Sequence, residues 1–333
     1  MNKAMKLASS VAVIATALSL TACGTGPNGS QAADDTSGSL TSTVIISTLN
    51  NPFFVSVAAG AKAQAAKSGM KLDVQNANNS DQTSLDQATT ALTKQPSVMI
   101  IDPVGSDSGG AITRQANQAK VPVVAFDRMP SSGDLASFIG YDAIKAGNNA
   151  AESLAKALNG TGTVVEIQGI LGTNVAQDRS KGFNQGIAKF PGIKVVAVQS
   201  ADFDRGKALN VMTNILQAHS DINGVYAAND EMAMGVIAAL QARNLAGTVK
   251  VVGNDGIADA LKAIDAGTMY STNAESPFVL GQEVVSLAVK VAKGESVEKN
   301  TVLTGRLVTK ADVPDFCAFL KDAGDADTCA DVK

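Results

Sequence analysis

Tryptophan is absent from this chain, histidine occurs once and cysteine three times in 333 residues. Aromatic residues make up only 4 %, so any aromatic recognition surface must be assembled from a few Phe and Tyr side chains. No Cys-x-x-Cys pair is present and the lone His219 is distant from the cysteines, which argues against a metal centre and implies no cofactor. Charge is sparse at 17 %, with 27 Lys and Arg against 31 Asp and Glu and a net charge of −4. Nucleic acid is disfavoured as a partner, because phosphate binding needs a clustered basic face. The uncharged run at residues 7–22 is too short and too rich in Ala and Ser for a membrane span, which takes about 20 strongly apolar residues. What remains, 45 % hydrophobic residues in a chain of this length, describes a globular protein with room for two domains.

Lys3 and Lys6 precede that run, and Cys23 follows it among small residues. A basic start, a short apolar stretch and small residues at the cut read as a secretory signal at residues 1–22. The sequence Leu20-Thr21-Ala22-Cys23 resembles the lipobox of bacterial lipoproteins, in which the cysteine is acylated and becomes the new N terminus. Each buried acyl CH₂ contributes about 0.8 kcal/mol, so two or three chains hold a protein at a membrane. Residues 23–40 form a polar tether. Its Gly24-x-Gly26-x-x-Gly29 matches a dinucleotide fingerprint by letter only, since no strand precedes it and Pro27 interrupts it. Cys317 and Cys329 remain for a disulfide in the tail, the natural pairing in an oxidising compartment. That loop would contribute about 3 kcal/mol against the unfolded chain.

Beyond the tether, short apolar runs alternate with amphipathic stretches. Strand-like runs fall at 44–46, 71–74, 98–101, 121–126, 163–167, 194–198, 224–227 and 249–252. Helix-like segments lie between them, one opening at Pro52 and stopping at Gly69. Such alternation predicts an α/β protein with doubly wound parallel sheets. Ligands of these sheets bind beyond the carboxyl ends of the strands. There the sequence places Ser47 to Phe54, Asp127-Arg128, Asp202 to Arg205, Asn229-Asp230 and Asn254-Asp255. Planar polar side chains pair with sugar hydroxyls, and Phe rings stack on sugar C–H faces. Any one Asp or Asn at such a place is equally well a helix cap or turn residue.

At these residues the chain resembles the ribose-binding proteins of bacterial ABC importers, in the pentose/hexose group of type I periplasmic binding proteins. The resemblance runs from Thr43 to Lys310 and is densest at 47–56, 201–205, 209–212 and 229–233. It implies two similar domains joined by a three-crossing hinge. These are residues 41–141 with 275–304 and residues 142–274 with 305–310, followed by a tail at 311–333. It also implies a ligand site formed by Ser47, Asn51, Phe53, Phe54, Asp127 and Arg128 from the first domain and Arg179, Phe203, Asn229 and Asp255 from the second. Glu275 completes that ligand site, standing at the hinge where ribose binders carry Gln, and Asn254 stands where they carry Phe. A carboxylate only accepts, whereas an amide also donates, so the exact sugar or polyol stays open. The expected partners are a small sugar and the permease subunits, with membrane contact only through the lipid and the protein a monomer.

Two other function classes fare worse. His219-Ser220-Asp221 contains the residue types of a hydrolase triad, but it reads as a helix end and turn. A sugar-responsive regulator would need an N-terminal DNA-binding helix pair where the export signal stands.

Overall fold

The computed structural model describes residues 39–332. The export segment, Cys23 and most of the tether lie outside the described residues. The chain begins β1 (Thr41–Ile46), α1 (Pro52–Ser68), β2 (Lys71–Asn76), α2 (Asp81–Thr93), β3 (Val98–Ile101), α3 (Ser106–Gln118), β4 (Val123–Phe126) and β5 (Ser137–Tyr141). It continues α4 (Ala143–Ala157), β6 (Thr161–Gln168), α5 (Asn174–Ile187), β7 (Gly192–Ser200), α6 (Arg205–Ala218) and β8 (Gly224–Ala227). Then come α7 (Asp230–Gln241), β9 (Lys250–Asp255), α8 (Ala258–Asp265) and β10 (Ser271–Ala274). The last elements are α9 (Pro277–Ala292), β11 (Asn300–Leu303), β12 (Arg306–Thr309) and α10 (Val313–Ala323).

These strands form two six-stranded sheets, ordered β11-β5-β4-β3-β1-β2 and β12-β10-β9-β8-β6-β7. All neighbours are parallel except β12 against β10. Parallel neighbours need long crossovers, and helices supply them and cover both faces. In the first sheet Val44, Ile46, Val98 and Ile100 meet α1 and α9, while Ile45, Met99 and Ile101 meet α2 and α3. This two-sided burial explains why the central strands read as continuous apolar runs. Each sheet with its helices is a lobe, and the chain passes between lobes after β5, after β10 and after β11.

Strand order sets where a ligand can enter. In both sheets the order reverses beside the lobe's first strand, at β1 and at β6, so successive loops diverge there and leave a crevice. Helix packing sets its depth. On Gly147 of α4 or Gly182 of α5 a Cβ would lie 2.1 or 2.0 Å from the facing carbonyl oxygen of Arg179 or Ile144. That close approach seats α5, and with it Arg179, deep in the second lobe.

The tail is part of the fold. α10 packs on α8 and β12, burying Val313, Phe316 and Leu320, and a disulfide joins Cys317 to Cys329.

Candidate ligand-binding site

The carboxyl ends of the two sheets face a common, nearly closed cavity. Asn51, Phe53, Phe54, Asp127 and Arg128 line it from the first lobe, and Val175, Arg179, Phe203, Asn229 and Asp255 from the second. The lobes meet over it. Ser106 N–H donates to the Gly172 carbonyl at 3.1 Å, Met129 N–H donates to Asn174 Oδ1 at 2.8 Å, and the Arg128 guanidinium lies 5.7 Å from the Phe203 ring centre.

Two of the lining amides serve the backbone and the cavity together. Asn51 caps α1, its Oδ1 accepting from Phe53 N–H at 2.9 Å. Asn229 caps α7 in the same way, accepting from Met232 N–H at 3.0 Å. The cap uses one oxygen, and the Nδ2 donor of each amide makes no hydrogen bond among the described residues. Three lining residues sit in the left-handed backbone region, Asp127 at φ 56°, Phe203 at 59° and Asp255 at 126°. Such conformations are costly for side chains with a Cβ and concentrate at ligand sites, where the surrounding fold holds them. Gly169 makes room for one of them: a Cβ there would lie 2.0 Å from the Phe203 ring.

Both guanidiniums are buried and anchored. Arg128 Nη1 donates to the carbonyls of Pro103 and Val104, each at 3.1 Å. Its Nε lies 3.8 Å from Asp102 and from Asp127, and its plane faces Phe54 at 5.5 Å. Arg179 Nη1 donates to the Ala228 carbonyl at 2.9 Å and lies 3.4 Å from Asp255 Oδ1. Its Nη2 donates to Glu275 Oε1 at 3.0 Å. The Nε of each arginine has no partner among the described residues, so each keeps a donor free.

Burial raises the pKa of Asp127 and Asp255, against the pull of Arg128 and Arg179 on the first and Arg179 on the second. Burial likewise raises Glu275 and pushes Asp102 up to about 7. Arg179 loses solvation too, but Glu275, Asp255 and Asp127 outweigh that loss and hold it charged.

Ser47 and Glu275 do not line the cavity. Ser47 N–H donates to Asp102 Oδ2 at 3.0 Å, placing it behind Arg128. Glu275 sits behind Arg179, where Asn254 Nδ2 also donates to its Oε1 at 2.9 Å. Both are spaced for contact along the sequence, but an arginine fills the layer between each and the cavity. Sequence reasoning missed Val175, an unremarkable apolar residue on α5, and Asp102, which follows β3 and shows the strand-end signal used elsewhere.

Asp230 follows the end of β8. Its Oδ2 accepts from Gly256 and Ile257 N–H at 2.7 and 3.2 Å, and its Oδ1 from Thr272 Oγ1 at 2.8 Å. It therefore holds the turn that presents Asp255. Burial pushes it up to about 7. A carboxyl raised in the folded state favours folding most below its unfolded pKa, and that advantage is lost as pH rises to the folded value. The stability of the native protein relative to Asp230→Asn should therefore fall between about pH 4 and 7. Urea denaturation of both proteins across that range checks it; a constant difference would contradict it.

The profile of the periplasmic binding protein domain matches residues 42–296. The chain belongs to the periplasmic binding protein family. This binding protein is 42 % identical over 267 residues to the ribose import binding protein of Salmonella typhimurium, covering 80 % of this chain and 90 % of that one. It is 36 % identical over 310 residues to the ribose import binding protein of Bacillus subtilis, covering 92 % of this chain and all of that one. A solved ABC transporter solute-binding protein from Bacillus halodurans, with bound myo-inositol, superposes with a TM-score of 0.81 at 30 % identity, over 85 % of this chain and 98 % of that one.

Proposed function

We propose that this extracytoplasmic binding protein captures ribose, or a closely similar monosaccharide or polyol, between its lobes and delivers it to the permease of an ABC importer. One observation carries the reading: each lobe contributes one guanidinium and one carboxylate, Arg128 with Asp127 and Arg179 with Asp255, to a small cavity walled by Phe53, Phe54 and Phe203. A sugar hydroxyl donates to a carboxylate while accepting from a guanidinium, and such charge-assisted bonds are the strong ones. The rings supply rigid apolar area for the C–H faces. Asp127 lies 3.8 Å from Arg128 and Asp255 3.4 Å from Arg179, so each lining guanidinium already has an acidic neighbour, which favours a neutral ligand over a phosphorylated or acidic sugar.

Ribose is the ligand named for the relatives, and myo-inositol the one bound in the structural neighbour. The myo-inositol bound in the structural neighbour makes a cyclic or linear polyol the second reading. A thermal-shift series with pentoses, hexoses, polyols and ribose 5-phosphate tests both. A ligand at 100 times its Kd stabilises by about 2.7 kcal/mol, readily seen in a melt. Ribose should shift the transition and its phosphate should not; a shift with polyols alone would replace ribose, and a shift with none would refute the class.

The lipid anchor at Cys23 belongs to the same reading. Cys23→Ser should release the protein from the membrane fraction in cells that export it, and continued sedimentation with membranes would contradict the anchor.

A further inference from the structure

We propose that Asn254 is a positioning residue of the cleft: its single amide nitrogen ties Asp255 to Glu275 and fixes both carboxylates against Arg179. The inference rests on the sugar-binding reading for its purpose, not for its geometry. Asn254 is buried at the end of β9, and its Nδ2 donates to Asp255 Oδ1 at 3.1 Å and to Glu275 Oε1 at 2.9 Å. Its Oδ1 accepts from Asn273 Nδ2 at 3.1 Å, and Asn273 Oδ1 accepts from Asn149 Nδ2 at 3.0 Å. Every polar atom of Asn254 is therefore committed, and a chain of three amides runs from α4 to the floor of the cleft. Residues 254 and 275 thus form one unit, the amide donating a hydrogen bond to the carboxylate.

The charges around this unit make that bond matter. Arg179 on α5 is the cation beside Asp255 and Glu275; Asp230 on α7 acts on Asp255, Asp127 after β4 acts on Glu275, Glu275 in turn raises Tyr141 of β5, and Tyr226 of β8 lies near Arg179. Without Asn254, two neighbouring carboxylates would share Arg179 alone, and the neutral form of each would gain. Carboxyl ¹³C titration of the ligand-free protein reads this without any sugar. In Asn254→Leu the Asp255 and Glu275 resonances should titrate higher by about one pH unit, and sugar affinity should begin to fall at a correspondingly higher pH on acidification. Unmoved carboxyl titrations would overturn the inference. Failure of the wild type to bind any sugar would instead strike the proposed function and leave this result standing.

The tail carries a second inference independently: we infer that it is a clasp between the lobes, with the disulfide holding its grip. α10 is seated on the second lobe, yet Asp325 just beyond it reaches the first, where Ser56 Oγ of α1 donates to its Oδ2 at 3.1 Å. Thr328 Oγ1 donates to the other carboxylate oxygen at 2.9 Å, and Gly324 lies against the Phe278 ring of α9. The Cys317–Cys329 bond closes the loop that contains these residues. A strap anchored in one lobe and bonded to the other limits their separation. Small-angle scattering of ligand-free Ser56→Ala, which alters only the first-lobe partner, and of Cys317→Ser with Cys329→Ser should show a larger radius of gyration than wild type. Sugar affinity should be about fivefold lower, as the closed form becomes less populated. Profiles identical to wild type in both variants would overturn the clasp, leaving the disulfide a support of the second lobe alone.

Discussion

Replacing Arg179 by methionine is expected to abolish sugar binding and to destabilise the protein by about 3–5 kcal/mol, the usual cost of leaving a buried charge without its partner. The side chain is almost fully enclosed, and it is the cation within 4 Å of both Asp255 and Glu275. Its removal strands those two carboxylates and the Ala228 carbonyl together. The loss should depend on pH. Protonation relieves an unpaired buried carboxyl, so the stability deficit should be largest in mildly alkaline buffer and shrink on acidification. Arg179→Lys, which keeps the charge but not the planar fork, should retain more stability than affinity. Urea titrations at two pH values and a sugar titration of each variant check this. A pH-independent deficit would mean that packing, not charge, sets the cost.

Arg128→Ala should separate binding from folding more cleanly. The loss of one hydrogen bond to a charged group costs about 1.5–3 kcal/mol, so affinity should fall about ten- to a hundredfold. Folding should suffer less than in the Arg179 variant. Asp102, the carboxyl left behind Arg128, already lies near pKa 7 through burial, and accepts a bond from Ser47 N–H. It can take up a proton instead of remaining as an isolated charge. The flanking rings Phe54 and Phe203 also lose their contact with the guanidinium, which should loosen the meeting of the lobes. Unchanged affinity in this variant would place Arg128 outside the ligand's reach.

The contrast between the arginines follows from features with different visibility in the sequence. Central strands such as β3 and β4 were legible because both faces are buried and every residue is apolar. β10 was not: Ser271, Thr272 and Asn273 are polar yet fully buried, satisfied by Ser153, Asp230 and Asn254 from neighbouring elements. No local pattern announces a strand whose polar side chains find their partners far along the chain. β5 escapes notice because Ser137 and Gly140 break its apolar run, and β11 and β12 because they are half-exposed at sheet edges.

The cleft divides in the same way. Strand-end residues identified its lining because the crevice of a doubly wound sheet lies where those ends emerge. The layer behind them was hidden. Ser47 and Glu275 occupy strand-end positions like the others, but depth depends on which side chains lie between, and Arg128 and Arg179 are long enough to reach across from other elements. In the sequence Asn254 shows only as a departure from the Phe of ribose binders beside Asp255. Its partners Asn273 and Glu275 lie about twenty residues away, beyond any helical or strand period, so only the folded sheet brings them together.

Calorimetric titration of the protein with ribose tests the central claim most directly. One ribose should bind per chain with saturable heat; its affinity should weaken about ten- to a hundredfold in Arg128→Ala, and the heat should be lost in Arg179→Met and absent when ribose 5-phosphate is the titrant. Absence of saturable heat with ribose and with every other pentose, hexose or polyol, from a protein that melts cooperatively, would contradict it.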